Sequence, residues 1–312
     1  MLLPFLIATA LMSTPQPADA AFETDHPEAF HDLVAEDAEL EKLADGFKFL
    51  EGPTFVDGEV GGVIFSDIPN QTLHRHADGR TSVFLKARGN GTTSGPDGTL
   101  LRAGHDSRKV HVTDPRTAND RVLVEAFELD GRPTRFNSPN DLVARADGMI
   151  FFTDPYWGLP GDRRDELMEY GGQWLFRHEP ATGQTVPVAK DFERPNGLAF
   201  APDGRTLYVG DDARRHVRRF SVDSDGDLTG GEVFVEVDPG VPDGMRVDDR
   251  GNLWCTAGNG VQVFAPDGTH LGTVLVPESP ANVELANGRA YVTARTGLYA
   301  IDVKVRPATA RD

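Results

Sequence analysis

Five oxygen-bearing side chains lie at nearly one distance from a recurring turn. Counting eight residues back from the glycines at 98, 148, 204 and 251 reaches Asn90, Asn140, Asn196 and Asp243. Counting seven back from Gly58 reaches Glu51, and eight back from Gly288 reaches Pro280, with Asn282 two residues further on. Turn chemistry enriches asparagine locally. An amide or carboxylate at one register in four units, with a fifth one residue out of step, is instead the pattern of side chains that converge on a shared point. Such oxygens, with no imidazole or thiolate among them, suit a hard cation; calcium takes about six to eight oxygen donors in flexible geometry. Glu51 and Asp243 would largely neutralise a divalent ion. One divalent cation is therefore expected: Ca2+ first, Mg2+ or Mn2+ as the nearer competitors, and Zn2+ less favoured because it takes His or Cys.

The elements that must position these residues follow from the turns themselves. A turn ending in Gly precedes a short β-type run six times: Val56-Asp57-Gly58, Pro96-Asp97-Gly98, Ala146-Asp147-Gly148, Pro202-Asp203-Gly204, Asp249-Arg250-Gly251 and Ala286-Asn287-Gly288. The glycines are 40, 50, 56, 47 and 37 residues apart. Asp-Gly and Asn-Gly between β-type runs mark hairpins, because both residues tolerate positive φ. A third strand follows each turn, for example Val217–Phe220, and a fourth follows in five units, for example Val233–Val235. Four short strands in each of six units predicts an all-β, six-bladed β-propeller. The sixth unit lacks its fourth strand, and the segment 43–49 is expected to supply it, closing the ring and removing a sheet edge. Residues 36–43 are the only stretch that reads as helical, for about two turns. The expected organisation is an export signal over 1–20, an N-terminal extension over 21–42, the propeller over 43–305 and a tail over 306–312.

Composition excludes several partners. The 312 residues carry 49 acidic and 31 basic side chains, a formal charge of −18, which argues against nucleic acid and anionic membranes. The single cysteine, Cys255, permits no internal disulfide and sits in an apolar run, where an inert thiol is expected. Leu2–Met12 is an apolar stretch followed by Ala18-Asp19-Ala20, a small-x-small cleavage pattern. Cleavage near Ala20 predicts a periplasmic or secreted protein with no membrane association afterwards. No Gly-x-Ser-x-Gly, His-Glu-x-x-His, EF-hand or phosphate-cradling motif is present.

Between residues 43 and 304 the motifs Glu51-Gly52-Pro53, Asn137-Ser138-Pro139-Asn140-Asp141-Leu142, Phe152-Thr153-Asp154-Pro155, Arg194-Pro195-Asn196-Gly197-Leu198 and Pro242-Asp243-Gly244-Met245 occur in order. In them the chain resembles the gluconolactonase/senescence-marker-protein (regucalcin) family. The resemblance implies a six-bladed propeller, an axial divalent metal held by Glu51, Asn140, Asn196 and Asp243, and hydrolysis of a small-molecule lactone such as gluconolactone. Another esterase or phosphotriesterase-like hydrolase on the same scaffold, or a non-catalytic extracytoplasmic binding propeller, are the alternatives. In some members an Arg two residues before the Asn of the third unit holds substrate; that position is Ser138 here, with Arg135 nearby as a substitute.

In the expected chemistry the ion polarises the lactone carbonyl while a base activates water. Asp243 is the candidate base, its other reading being a ligand only. Asn90, Asn137, Arg135 and His105 are candidate substrate contacts, with turn formation as the alternative for Asn90 and a structural role for His105. His74, His76, His111 and His178 read as strand-surface residues. Asp154 and Asp211 follow the second strands of their units and read as strand-end caps, with a second calcium at Thr153-Asp154 as the alternative. The insertion over 156–173, with Tyr156, Trp157 and Leu159, is a lid or a packed loop.

Overall fold

The protein is described by a computed structural model over residues 21–58, 61–95 and 97–308. Its strands form six antiparallel units of at least four strands. In five of them four strands run in chain order from an inner to an outer strand, and the sixth takes its outermost strand from the N-terminal part of the chain. The inner strands are Leu50–Val56, Thr92–Ser94, Leu142–Ala144, Pro195–Phe200, Met245–Val247 and Pro280–Ala286. The all-β six-bladed propeller read from the repeat is therefore present. Its six hairpin glycines, at 58, 98, 148, 204, 251 and 288, all have positive φ, between 63° and 92°. That conformation costs an L-residue strain and costs glycine none, so the turn glycine and the register it sets are locked together.

The ring closes through strand Glu41–Ala44, which pairs antiparallel with Gly297–Asp302 and puts Glu41 opposite Ala300. Closure by an N-terminal strand is thus as expected, but the strand lies earlier than 43–49. Gly46, at φ 88°, turns the chain toward blade 1 and ends the pairing at Ala44. Residues 36–43 are not helical: a single turn, closed by the Ala38 N–H on the Ala35 carbonyl, runs into that strand. The helix nearest that stretch is Pro27–His31, with proline in its first turn and Phe30 fully buried; a second short helix, Arg164–Leu167, lies in the 156–173 insertion. Phe30, Leu33 and Val34 pack with Trp254, Val261 and Val292 of blades 5 and 6, and Phe22–Glu23 adds a fifth strand to blade 5. Residues 1–20, which hold the export-signal expectation, lie outside the described residues.

Apolar side chains fill the wedges between blades. At the junction of blades 2 and 3, Phe127, Phe136, Phe152 and Phe176 pack in stacked, tilted and edge-to-face pairs with centroids 4.7–5.6 Å apart. Each buried ring contributes about 1.5–3 kcal/mol. Phe127 arrives on an extra hairpin, Phe127–Leu129 with Arg132–Thr134, whose Asp130-Gly131 turn has both φ angles positive, 51° and 74°. This Asp-Gly turn is outside the six-fold register.

Candidate functional site

The start of each inner strand lies at one mouth of the axis. Glu51, Asn140, Asn196 and Asp243 line a cavity of about 310 Å3 there, together with Asn90, His105, Trp157, Asp212 and the apolar Phe49, Ile68 and Pro69. The register counted back from the hairpin glycines thus brings all five residues together. Backbone bonds fix their entry: the N–H groups of Asn90, Asn140 and Asp243 donate to the carbonyls of Ala103, Thr153 and Thr256 at 2.9–3.0 Å. A glycine follows the ring residue in four blades, at 52, 91, 197 and 244. A Cβ on Gly52 would collide with the Asn90 carbonyl, and one on Gly197 with the Asp243 carbonyl. Adjacent blades therefore touch backbone to backbone at the axis, which is what crowds five polar side chains into one ring.

Blade 6 contributes one layer deeper. Asn282 Nδ2 donates to Glu51 Oε2 at 3.3 Å and to Asp141 Oδ2 at 3.4 Å. Beneath it the Arg246 guanidinium crosses the channel, donating to Glu284 at 3.0 Å, to the Thr92 carbonyl at 3.3 Å and to the Pro53 carbonyl at 3.4 Å. One arginine of blade 5 thereby ties the inner strands of blades 6, 1 and 2.

Electrostatics on the axis run against ionisation. Burial, and then the charge of Asp141, push the Glu51 carboxyl up to about 7. Burial raises Asp141 to about 6, opposed by Arg246. Asp243 is the least enclosed of the five ring residues by surface area, yet desolvation and the charge of Glu51 hold it well above the usual carboxylate range. Burial lowers the His105 imidazole, which keeps it neutral near pH 7, and its φ of 49° is a left-handed conformation unusual for a non-glycine residue.

Three observations bear on a cation here. Asn90 Oδ1 is buried with no hydrogen-bond partner among the described residues. Glu51 and Asp243 are desolvated and repel each other. Among the described residues no three His, Cys, Asp or Glu side chains group as ligands, so the donor set is two carboxylates completed by amides, all oxygen. These residues fit a hard divalent ion.

The other expected contacts divide. Asn90 and His105 face the cavity; Asn137 and Arg135 do not line it. Asn137 Nδ2 donates to the carbonyls of Asp154 and Gly172, at 3.1 and 3.0 Å. Arg135 is exposed and ion-paired with Glu169 at 2.5 Å. Ser138 is fully buried; its hydroxyl donates to the Pro155 carbonyl at 2.7 Å and accepts the Gly158 N–H at 2.9 Å. It clamps both ends of the turn that carries Trp157 into the cavity wall, so the 156–173 insertion contributes directly to the site. Arg194 pairs with Asp212 and lies 5.6 Å from the Trp157 ring. Sequence reasoning reached Asn282 only as the residue two beyond Pro280 in the sixth unit, and missed Asp212, Arg246 and Glu284. Cys255 is buried and its thiol is pushed up, mainly by burial. A larger groove of about 810 Å3 lies among the hairpin turns of blades 3 and 4, lined by Asp147, Asp203 and Arg205, and shares no residue with the ring.

Fold and site define a six-bladed propeller with a polar ring at one mouth of its axis, and the sequence specifies the family. Residues 49–296 match the model of the SMP-30/gluconolactonase/LRE-like region, and the chain belongs to that family. A gluconolactonase of Zymomonas mobilis is 33% identical over 261 residues, 75% of this chain and 72% of its own. A pentonolactonase of Haloferax volcanii is 31% identical over 240 residues, 73% of each. A gluconolactonase structure from Xanthomonas campestris matches with a TM-score of 0.83 at 30% identity, covering 95% of this chain and 99% of that one.

Proposed function

We propose that this chain is a lactonase, a carboxylic-ester hydrolase that opens a sugar lactone in the 310 Å3 axial cavity. The observation that carries the reading is the ring of Glu51, Asn90, Asn140, Asn196 and Asp243 at the floor of that cavity. The relatives named for gluconolactone and pentonolactone support the substrate class. Glu51, Asn140, Asn196 and Asp243 would hold one divalent cation, Ca2+ by preference. When bound, it supplies Lewis acidity to the lactone carbonyl.

The chain's own residues do the rest. Asp243 accepts a proton from the attacking water, a role suited to a carboxylate that opens to the cavity. As water adds to the carbonyl carbon, the ring C–O bond breaks; the proton passes to the departing alkoxide oxygen, and the product is a hydroxy acid. Asn90 and neutral His105 offer hydrogen bonds to substrate hydroxyls, and Trp157, Phe49 and Ile68 pack against the apolar face of the sugar ring. The proteins named above hydrolyse sugar lactones, but Ser138 is committed to the Trp157 turn. Recognition therefore falls to the cavity wall rather than to a cation at that position.

The test is a pH-stat assay with glucono-1,5-lactone and a panel of other lactones, with and without chelator. Opening above background that is lost with chelator and restored by calcium is expected; no lactone opened in added calcium sinks the proposal. The export signal belongs to the same reading. Ala21, the residue after the expected cleavage, accepts the Leu275 N–H with its carbonyl at 2.9 Å. Secreted material should begin at Ala21 on N-terminal sequencing, and an intact Met1 would count against cleavage.

A further inference from the structure

Three carboxylates outside the cavity repeat one geometry. Asp67, Asp154 and Asp211 each end the second strand of a blade, in blades 1, 3 and 4, and each is at most 1% exposed. Each turns its two oxygens on two consecutive backbone N–H groups of the segment entering the inner strand of its own blade. Asp67 accepts from Lys48 and Phe49, both at 3.4 Å. Asp154 accepts from Asn137 at 2.6 Å and Ser138 at 2.7 Å. Asp211 accepts from Glu193 at 2.9 Å and Arg194 at 3.0 Å. In every case the ring residue stands two positions beyond the second donor: Glu51, Asn140 and Asn196.

Blades 2, 5 and 6 end their second strands at Ala103, Ala257 and Ala294, with no carboxylate. The bracing is therefore not a general requirement of the blade. It occurs in the three blades that present Glu51, Asn140 and Asn196. A carboxylate bonded at two points to adjacent amides fixes the peptide plane between them and the direction in which the chain enters the ring. Burial raises the Asp154 carboxyl to about 7, opposed by the Tyr170 hydroxyl and the Asn137 and Ser138 N–H groups whose bonds it accepts. Tyr170, from the insertion, donates its hydroxyl to Asp154, and Arg214 pairs with Asp211 at 2.9 Å, so two of the braces are themselves oriented.

We propose that Asp67, Asp154 and Asp211 are positioning residues for the axial cation ring, each aiming one ligand by holding the two amides that precede its approach. The proposal rests on the reading of the ring as a cation site. A merely structural carboxylate supplies the control. Asp248 is equally buried and braces the blade 5 hairpin through the N–H groups of Arg250 and Asn252, both at 2.9 Å, and Trp254 Nε1 at 3.0 Å, yet precedes no ring residue.

The experiment is calcium calorimetry on the full chain, paired with thermal unfolding. Asp154→Asn and Asp211→Asn are expected to raise the calcium Kd by tenfold or more, while Asp248→Asn lowers the thermal midpoint and leaves Kd within twofold. Should Asp154→Asn not fold, Asp67→Asn, whose bonds are the longest, provides the same readout with a smaller expected rise of about threefold. Wild-type binding with unchanged Kd in the folded brace variants overturns the braces alone. No calcium bound by wild-type protein overturns the braces together with the cation ring.

Discussion

Glu51 and Glu278 are the same side chain in two electrostatic settings. Glu51, on the axis, is desolvated, faces the charge of Asp141, and is pushed up to about 7. Glu278, at the rim of blade 6, is also raised by partial burial, but three hydrogen bonds outweigh that. Thr296 N–H at 2.8 Å, Thr296 Oγ1 at 2.6 Å and Tyr299 Oη at 2.6 Å, with Lys42 at 3.5 Å, hold it down to about 2. The rim satisfies its carboxylates with its own donors. The axis gathers Glu51, Asp141 and Asp243 and leaves most of their charge to be met by something else. Asn282 and the Gly52 N–H are the direct donors to Glu51, and Arg246 compensates from below. Strain of this kind, with partners missing where the rest of the fold supplies them, marks where the fold serves function at the expense of stability.

The largest effect should come from breaking the ring. Asp243→Asn and Asn196→Ala are expected to lower kcat/KM for a lactone on the order of 10^3-fold, since Lewis-acid activation supplies several kcal/mol. A loss below tenfold in a pH-stat assay with saturating calcium would break the contrast between axis and rim. The next effect has a sign that separates the two regions. Glu51 is raised in the folded state from 4.5 to about 7, so its contribution to stability is present below 4.5 and lost as pH rises through 7. In chelator, Glu51→Gln should therefore unfold at a higher temperature than wild type at pH 8, with a gain on the order of 2–3 kcal/mol that vanishes by pH 4.5. In saturating calcium the order should reverse, because the wild-type carboxylate gains a partner. Equal midpoints in chelator at pH 8 would show Glu51 already compensated by Arg246 and Asn282.

The ring was legible because a local rule and a global one coincide. A hairpin glycine with positive φ fixes the end of each inner strand, so a count of eight residues lands at the axis whatever the blade contains. Glu51 falls one residue short, yet its strand, Leu50–Val56, still delivers it to the ring; the pairing slips between Glu51 and Thr54. Asn282 lay two residues beyond the count in the sixth unit, which gave no sign of its place one layer below the ring. Arg246 and Glu284 were not legible, because their convergence depends on where six strands meet, and no interval in the chain encodes it. Trp157 and Asp212 come from loops of irregular length, where periodicity carries no register. The Asp130-Gly131 hairpin bore the ordinary turn signal and was lost only because it stands outside the repeat. Two of the histidines read as surface residues, His76 and His178, are buried, their Nδ1 atoms 2.8 and 2.9 Å from Thr81 and Thr185 on the neighbouring strand. Alternation along a strand does not reveal that a blade face is covered by its neighbour.

The cavity wall should respond less than its floor. Trp157 touches the site without belonging to the ring, held by the Ser138 clamp and facing Arg194. Trp157→Ala is expected to raise KM by about tenfold, roughly 1.4 kcal/mol of lost apolar contact, with kcat changed less than threefold. A fall in kcat with constant KM would place Trp157 in the chemistry and dissolve the division between wall and floor.

The smallest effect belongs to the rim, and its pH dependence is opposite to that of the axis. The folded Glu278 carboxyl lies below its ordinary 4.5, at about 2, so the stability it contributes is present above 4.5 and lost as pH falls through 2. After allowance for solvent screening of a side chain 21% exposed, that contribution is about 1 kcal/mol. Glu278→Gln should lower the thermal midpoint by a degree or two at pH 7, match wild type near pH 2, and leave both calcium affinity and lactone turnover unchanged. Its carboxylate is spent on Thr296 and Tyr299, which tie the loop before the blade 6 inner strand to that blade's outer hairpin. A change in turnover would mean that blade closure reaches the ring, and that axis and rim are one cooperative unit rather than two.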